Sequence, residues 1–152
     1  MSKVARAAYN SSRMRVETLS GSALTKTIGK AETGEIYIVT GDFASGGRTL
    51  TLPACQNGAY FKILFGVDVD ENYTLAINTN ATDQLFRGSV TYALGDTTTS
   101  GSIVQADADF SNDDTLTLAD DIRRGSWVEF VSDGSHWYVS GLLHCSAAPA
   151  FS

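Results

Sequence analysis

Carboxylates two residues apart are the first place to look for chemistry in this sequence. Successive side chains of a strand alternate between faces, so positions i and i+2 point the same way. Asp68 and Asp70, within Asp68-Val69-Asp70-Glu71, form one such pair, and Asp107 and Asp109 form another with Asn112, Asp113 and Asp114 close behind. A bend that closed either pair would offer oxygen ligands to a hard cation such as calcium. Neither run has the DxDxDG and twelfth-position Glu of an EF-hand, and Asp is a common turn residue, so solvated acidic turns are the simpler account. No metal and no cofactor is implied.

Acid-base chemistry near neutral pH rests on His136 and His144, the two histidines of the chain. Neither stands in an HxH, HExxH or nucleophile-elbow context, and His136 reads as a polar strand residue beside a turn. No Ser-His-Asp triad or glycosidase carboxylate pair is signalled, so the chain reads as non-catalytic. Trp127, Trp137 and Tyr138 offer a different chemistry, stacking against a sugar ring. With period two, Trp127, Glu129 and Val131 share a face opposite Val128 and Phe130, while Trp137 and Val139 share a face that leaves Tyr138 opposite. One outward tryptophan is expected, although burial in a β core is the commoner fate of aromatics. Cys55 and Cys145 are too few for a disulfide framework and lack CxxC spacing, so both read as buried free thiols.

Charge is segregated along the chain. Residues 1 to 30 hold Lys3, Arg6, Arg13, Arg15, Lys26 and Lys30 against Glu17 alone, whereas the remainder sets Arg48, Lys62, Arg87, Arg123 and Arg124 against 16 carboxylates, the whole chain carrying −6. The basic segment is rich in Ser, Thr and Ala with no sustained apolar period, and reads as a flexible N-terminal arm that orders against a partner. Arg6, Arg13 and Arg15 are its candidate partner-binding residues. An acidic body repels phosphates, so a protein surface is preferred to nucleic acid. The opening MSKVARAAYNSSRMRV has no apolar run of signal-peptide length and no window approaches a membrane helix, so no membrane passage is expected.

The elements that must position these residues are strands. Ile36-Tyr37-Ile38-Val39 is a β-branched and aromatic run, and Arg48-Thr49-Leu50-Thr51-Leu52 alternates before Pro53 stops the ladder. After Asn57-Gly58, Ala59, Phe61, Ile63, Phe65, Val67 and Val69 share a core face. Leu75 and Ile77, Val90 and Tyr92, Ile103 and Val104, and Leu116 and Leu118 mark further short strands. Trp127–Val131 and His136–Val139 flank Asp133-Gly134, which suits a two-residue hairpin turn. Eight to ten short strands without a long amphipathic helix predict an all-β chain, an antiparallel β-sandwich of jelly-roll type. The expected division is an arm at residues 1–30 and one sandwich domain at 31–152. The strand-and-turn repeat has no fixed sequence period, so no solenoid is expected.

The order of signals from Arg48 to Val139 resembles the β-modules of tailed-phage virion proteins. Leu50-Thr51-Leu52-Pro53 with Gly58-Ala59-Tyr60-Phe61, Thr79-Asn80-Ala81-Thr82-Asp83-Gln84 leading to Gly88, and Gly125-Ser126-Trp127-Val128-Glu129-Phe130 with Asp133-Gly134 and Trp137-Tyr138-Val139 carry the likeness. A short chain without a repetitive fibre shaft is most similar to a head decoration, or cement, protein. That resemblance implies a non-catalytic capsid-surface protein, assembled in the host cytoplasm, that self-associates as a homotrimer and clamps the major capsid protein. A carbohydrate-binding or receptor-binding module of a phage tail or fibre is the alternative.

Overall fold

Burial alternates residue by residue along β3 (Glu35–Val39), β4 (Arg48–Thr51), β5 (Tyr60–Phe65), β6 (Leu75–Asn78), β9 (Thr115–Leu118) and β10 (Trp127–Ser132). Each of these strands therefore has one face against a core and one face outward. The computed structural model describes residues 15–19, 25–41, 48–69, 74–95, 101–106, 113–118 and 121–152. The remaining strands are β1 (Arg15–Leu19), β2 (Thr25–Thr27), β7 (Phe86–Leu94), β8 (Ser102–Gln105), β11 (Trp137–Cys145) and β12 (Ala150–Phe151). A single 3-10 turn at Lys30–Glu32 is the one helical element among the described residues.

The strands form two sheets, a seven-stranded one in the order β1-β3-β5-β10-β11-β7-β8 and a five-stranded one in the order β12-β9-β6-β4-β2. The all-β sandwich expected from the sequence is what forms. Its pairing is mixed rather than antiparallel throughout: β1 with β3, β3 with β5, β2 with β4, β4 with β6 and β7 with β11 are parallel. The antiparallel pairing expected throughout is therefore corrected to two mixed sheets.

The first six strands alternate between the sheets, and each of β1 to β4 pairs in parallel with the strand two places on. Strands β1 to β6 thus wind as a short parallel coil between the two sheets. Partners lie 20 residues apart from Arg15 to Glu35, 24 from Thr25 to Thr49, 26 from Glu35 to Phe61 and 27 from Arg48 to Leu75. Unequal steps leave no sequence period to detect. Two strands of the coil, β1 and β2, fall within residues 1–30 and occupy one edge of each sheet. Residues 1–14 and 20–24 of that expected arm lie outside the described residues.

One core lies between the sheets, built from Tyr37, Phe61, Ile63, Phe65, Phe86, Phe130 and Trp137 of the larger sheet and Leu50, Leu75, Ile77, Leu116 and Leu118 of the smaller. Aromatic rings meet at 5.7 Å for both Phe61–Trp137 and Phe86–Phe130, the separation at which tilted ring pairs attract. Gly88 makes the parallel β7–β11 contact feasible. Its φ is +110°, and a Cβ there would lie 2.3 Å from the Val139 carbonyl oxygen. The expected C-terminal hairpin forms between β10 and β11, with Gly134 at φ +97°. Its last pair is Ser132 with Trp137, so the connection is the four residues 133–136 rather than two. Asp133 Oδ1 accepts the Ser135 N–H at 2.7 Å and the His136 N–H at 2.8 Å, a side-chain turn that accommodates the longer loop.

Candidate interaction surface

The candidate acid-base groups are tied into the scaffold. His136 closes the hairpin connection through its backbone. His144 is outward on β11, and the nearby Ser126 hydroxyl accepts the His144 N–H at 3.0 Å while donating to its carbonyl at 3.4 Å. Serine and histidine therefore meet through the main chain. They line a hollow of about 190 Å³ with Arg124, Gly125 and Leu142, below the several hundred Å³ of a typical small-molecule site. Cys55 is half-buried and Cys145 buried, both free, and burial pushes both thiols up.

The expected carboxylate pairs do not present free oxygens in the described region. Asp68 accepts the Arg124 N–H at 2.8 Å and its guanidinium at 3.2 Å, and that backbone bond foremost holds its carboxyl below the usual range. Asp70, Asp107, Asp109 and Asn112 lie outside the described residues. Asp113 is buried, and Asp114 accepts the Thr115 hydroxyl at 3.0 Å.

Carboxylates do converge elsewhere, at a place the sequence did not mark. Glu17 on β1, Glu32 in the 3-10 turn and Glu35 on β3 bring oxygens within 4.8 Å of one another. Lys26 of β2 supplies the cation, with Nζ 2.5 Å from Glu17, 3.1 Å from Glu32 and 5.0 Å from the Tyr37 ring centroid. Tyr37 donates its hydroxyl to Glu35 at 3.3 Å, and Glu32 also accepts the Gly29 N–H. Burial opposes the charge on Lys26, but the bonds to Glu17 and Glu32 outweigh it and raise its pKa. For Glu32, burial is likewise overcome, by the Gly29 N–H and then Lys26, and its pKa falls. Burial, reinforced by the carboxylates, pushes the Tyr37 phenol up. The cluster fastens β1 and β2, the edge strands of the two sheets, to the next coil. Its only sequence signal was Glu17, the lone acid of the basic segment.

The three aromatics do not share one face. Trp137 points inward, fully buried against Phe61, and its indole N–H lacks a hydrogen-bond partner. Trp127 points outward as the alternation predicted, but Lys62 Nζ stands 4.3 Å over its ring. Tyr138 is outward and exposed, its hydroxyl donating to Asp133 at 3.1 Å. Arg6 and Arg13 lie outside the described residues, and for Arg15 only the backbone, paired with Glu35, is described.

What the larger sheet does assemble is an apolar outer face. Among the described residues, Val16, Ile103, Val131, Tyr138 and Leu142 are the exposed large hydrophobics, each 44–58% exposed, and all five lie on it. Register aligns four of them into rows across the strands: Ile38, Leu64, Trp127, Leu142, Thr91 and Ile103 form one, and Tyr60, Val131 and Tyr138 another. No family model, no curated protein and no solved structure matches this chain. Between the rows, Glu129 accepts from Tyr60 at 3.2 Å and Ser140 at 3.1 Å and pairs with Lys62 at 3.8 Å. The outer face of the smaller sheet is of another kind, carrying the aligned rows Thr25-Thr49-Ala76-Thr117 and Thr27-Thr51-Asn78-Thr115.

Proposed function

We propose that this chain is a non-catalytic structural protein of a tailed-phage virion, a head decoration or cement subunit on the capsid surface. It assembles in the host cytoplasm, self-associates as a homotrimer and binds the major capsid protein, with no cofactor and no nucleic acid or membrane as partner. The observation that carries the reading is the concentration of exposed apolar side chains on one sheet face, while the candidate chemical groups are held by backbone and ion-pair contacts. A surface of that kind suits burial between proteins. The capsid is the partner suggested by the resemblance of Arg48–Val139 to phage β-modules and by the cationic segment that leads into edge strand β1.

In this reading the subunit works by adding buried area across seams between capsid proteins, where modest contacts multiply through symmetry. Arg6, Arg13 and Arg15 are the residues proposed to bind an acidic partner surface. The test is antibody-gold labelling of purified virions, with labelled heads expected. Replacing Arg6, Arg13 and Arg15 by Ala should cut occupancy at least about tenfold with an unchanged melt, the loss of roughly 1.4 kcal/mol or more. Unlabelled heads, or full occupancy by the triple variant, would refute the assignment.

A further inference from the structure

We infer that the outer face of the seven-stranded sheet is a self-association surface, covered by a second copy of this chain. The inference rests on the structural-subunit reading but departs from its trimer, because two identical faces in contact close as a twofold pair. Seven strands about 4.8 Å apart and some five residues long at about 3.4 Å each give a face of on the order of 500 Å². Two such faces in contact bury about 1,000 Å² or more, the lower bound for a specific interface. Leu142 beside Trp127, and Val131 between Tyr60 and Tyr138, supply the aromatic and aliphatic anchors on which interface energy concentrates.

Charge selects a second copy over an acidic or basic partner. The chain carries −6 overall, so two copies repel through most of their surfaces. Among the described side chains, the strands of this face present only Lys62, Arg87 and Glu129 as charged outward residues, and Lys62 is paired with Glu129. Identical faces can therefore meet without the repulsion that opposes contact elsewhere. A glycan fits less well, because the Trp127 ring on which it would stack is covered by Lys62. The threonine rows of the other sheet lack large apolar anchors.

The test is light scattering after size exclusion on the full chain over a range of concentrations. The protein should run as a multiple of its 16.2 kDa monomer mass. Replacing Val131 and Leu142 together by Glu should return it to monomer and weaken association at least about 100-fold. Both positions are outward and exposed, so the variant should keep its far-UV spectrum and thermal transition. Thr117→Glu, on the outer face of the smaller sheet, should leave the assembly intact. A wild-type protein that is monomeric throughout, or a Val131→Glu/Leu142→Glu variant that stays assembled, overturns the inference. A monomer that loses capsid occupancy on the same double substitution overturns it in favour of capsid protein as occupant, and leaves the structural reading standing. Unlabelled virions with a multimer sensitive to the substitutions sink the capsid reading alone.

Discussion

Lys62 on β5 and Trp127 on β10 meet with the ammonium 4.3 Å above the indole ring, two residues along β10 from the Lys62–Glu129 ion pair at 3.8 Å. The lysine thus bridges an apolar row and a polar row of the same outer face. Lys62→Ala should lower stability by about 1 kcal/mol, the scale of a partly exposed cation–π contact plus a weak ion pair. Urea unfolding followed by fluorescence checks it: the midpoint should fall at constant slope, and acrylamide should quench Trp127 more readily than in the parent. Trp137, fully buried, should stay protected in both.

Gly88→Ala should destabilise by at least about 1 kcal/mol, because a side chain is strained at positive φ and the new Cβ would press on the Val139 carbonyl. Thermal unfolding would show the loss. A neutral substitution would mean that β7 and β11 approach less closely than described.

The cluster around Lys26 predicts stability loss at both ends of the pH scale. The folded pKa of Glu32 is lowered, so its contribution is present above the ordinary Glu value and is lost as pH falls through the lowered one, below about pH 4. Lys26 and Tyr37 are raised, so their contributions are complete below their ordinary values and are lost as pH climbs through the raised ones, above about pH 10. Lys26→Met should cost about 1 kcal/mol at pH 7 and less at an acid pH below the lowered Glu32 value, where that carboxyl is protonated and no longer needs a cation. Denaturant midpoints at the two pH values decide the matter.

Asp133 accepts two backbone N–H groups of its own turn and the Tyr138 hydroxyl. Asp133→Ala should shorten the protection of the hairpin amides in hydrogen exchange and lower the unfolding midpoint. Asp133→Asn, which keeps an acceptor oxygen, should do less harm. Equal effects of the two would show that the charge matters more than the turn geometry.

Period two made the inward sets readable: Phe61, Ile63 and Phe65, Leu50 and Leu52, and Val128 and Phe130 are buried where alternation puts them. The same alternation is identical in parallel and antiparallel ladders, so it could not reveal that β3 lies parallel to both β1 and β5. The Lys26 clamp was illegible because its partners are nine residues away at Glu17 and six at Glu32, joined only when the coil closes. The row of Ile38, Leu64, Trp127 and Leu142 draws one residue from each of four strands. It exists only once register is fixed. The turn at 133–136 was placed correctly and sized wrongly, because the side-chain acceptor that lengthens it depends on local geometry.

The strand order also fixes when the fold can be completed. β5 is built from residues 60–65, yet one of its two neighbours is β10, and β7 waits for β11. A chain emerging from the ribosome can wind its early coil, but the flank of β5 stays unpaired until Trp127–Cys145 has been made. Truncation before Trp127 should therefore yield a protein with an open strand edge beside Phe61 and Ile63, prone to pair with its own kind in disordered aggregates. The last hairpin acts as a bolt, and synthesis of the C-terminal segment is the step that takes the sticky intermediate out of circulation.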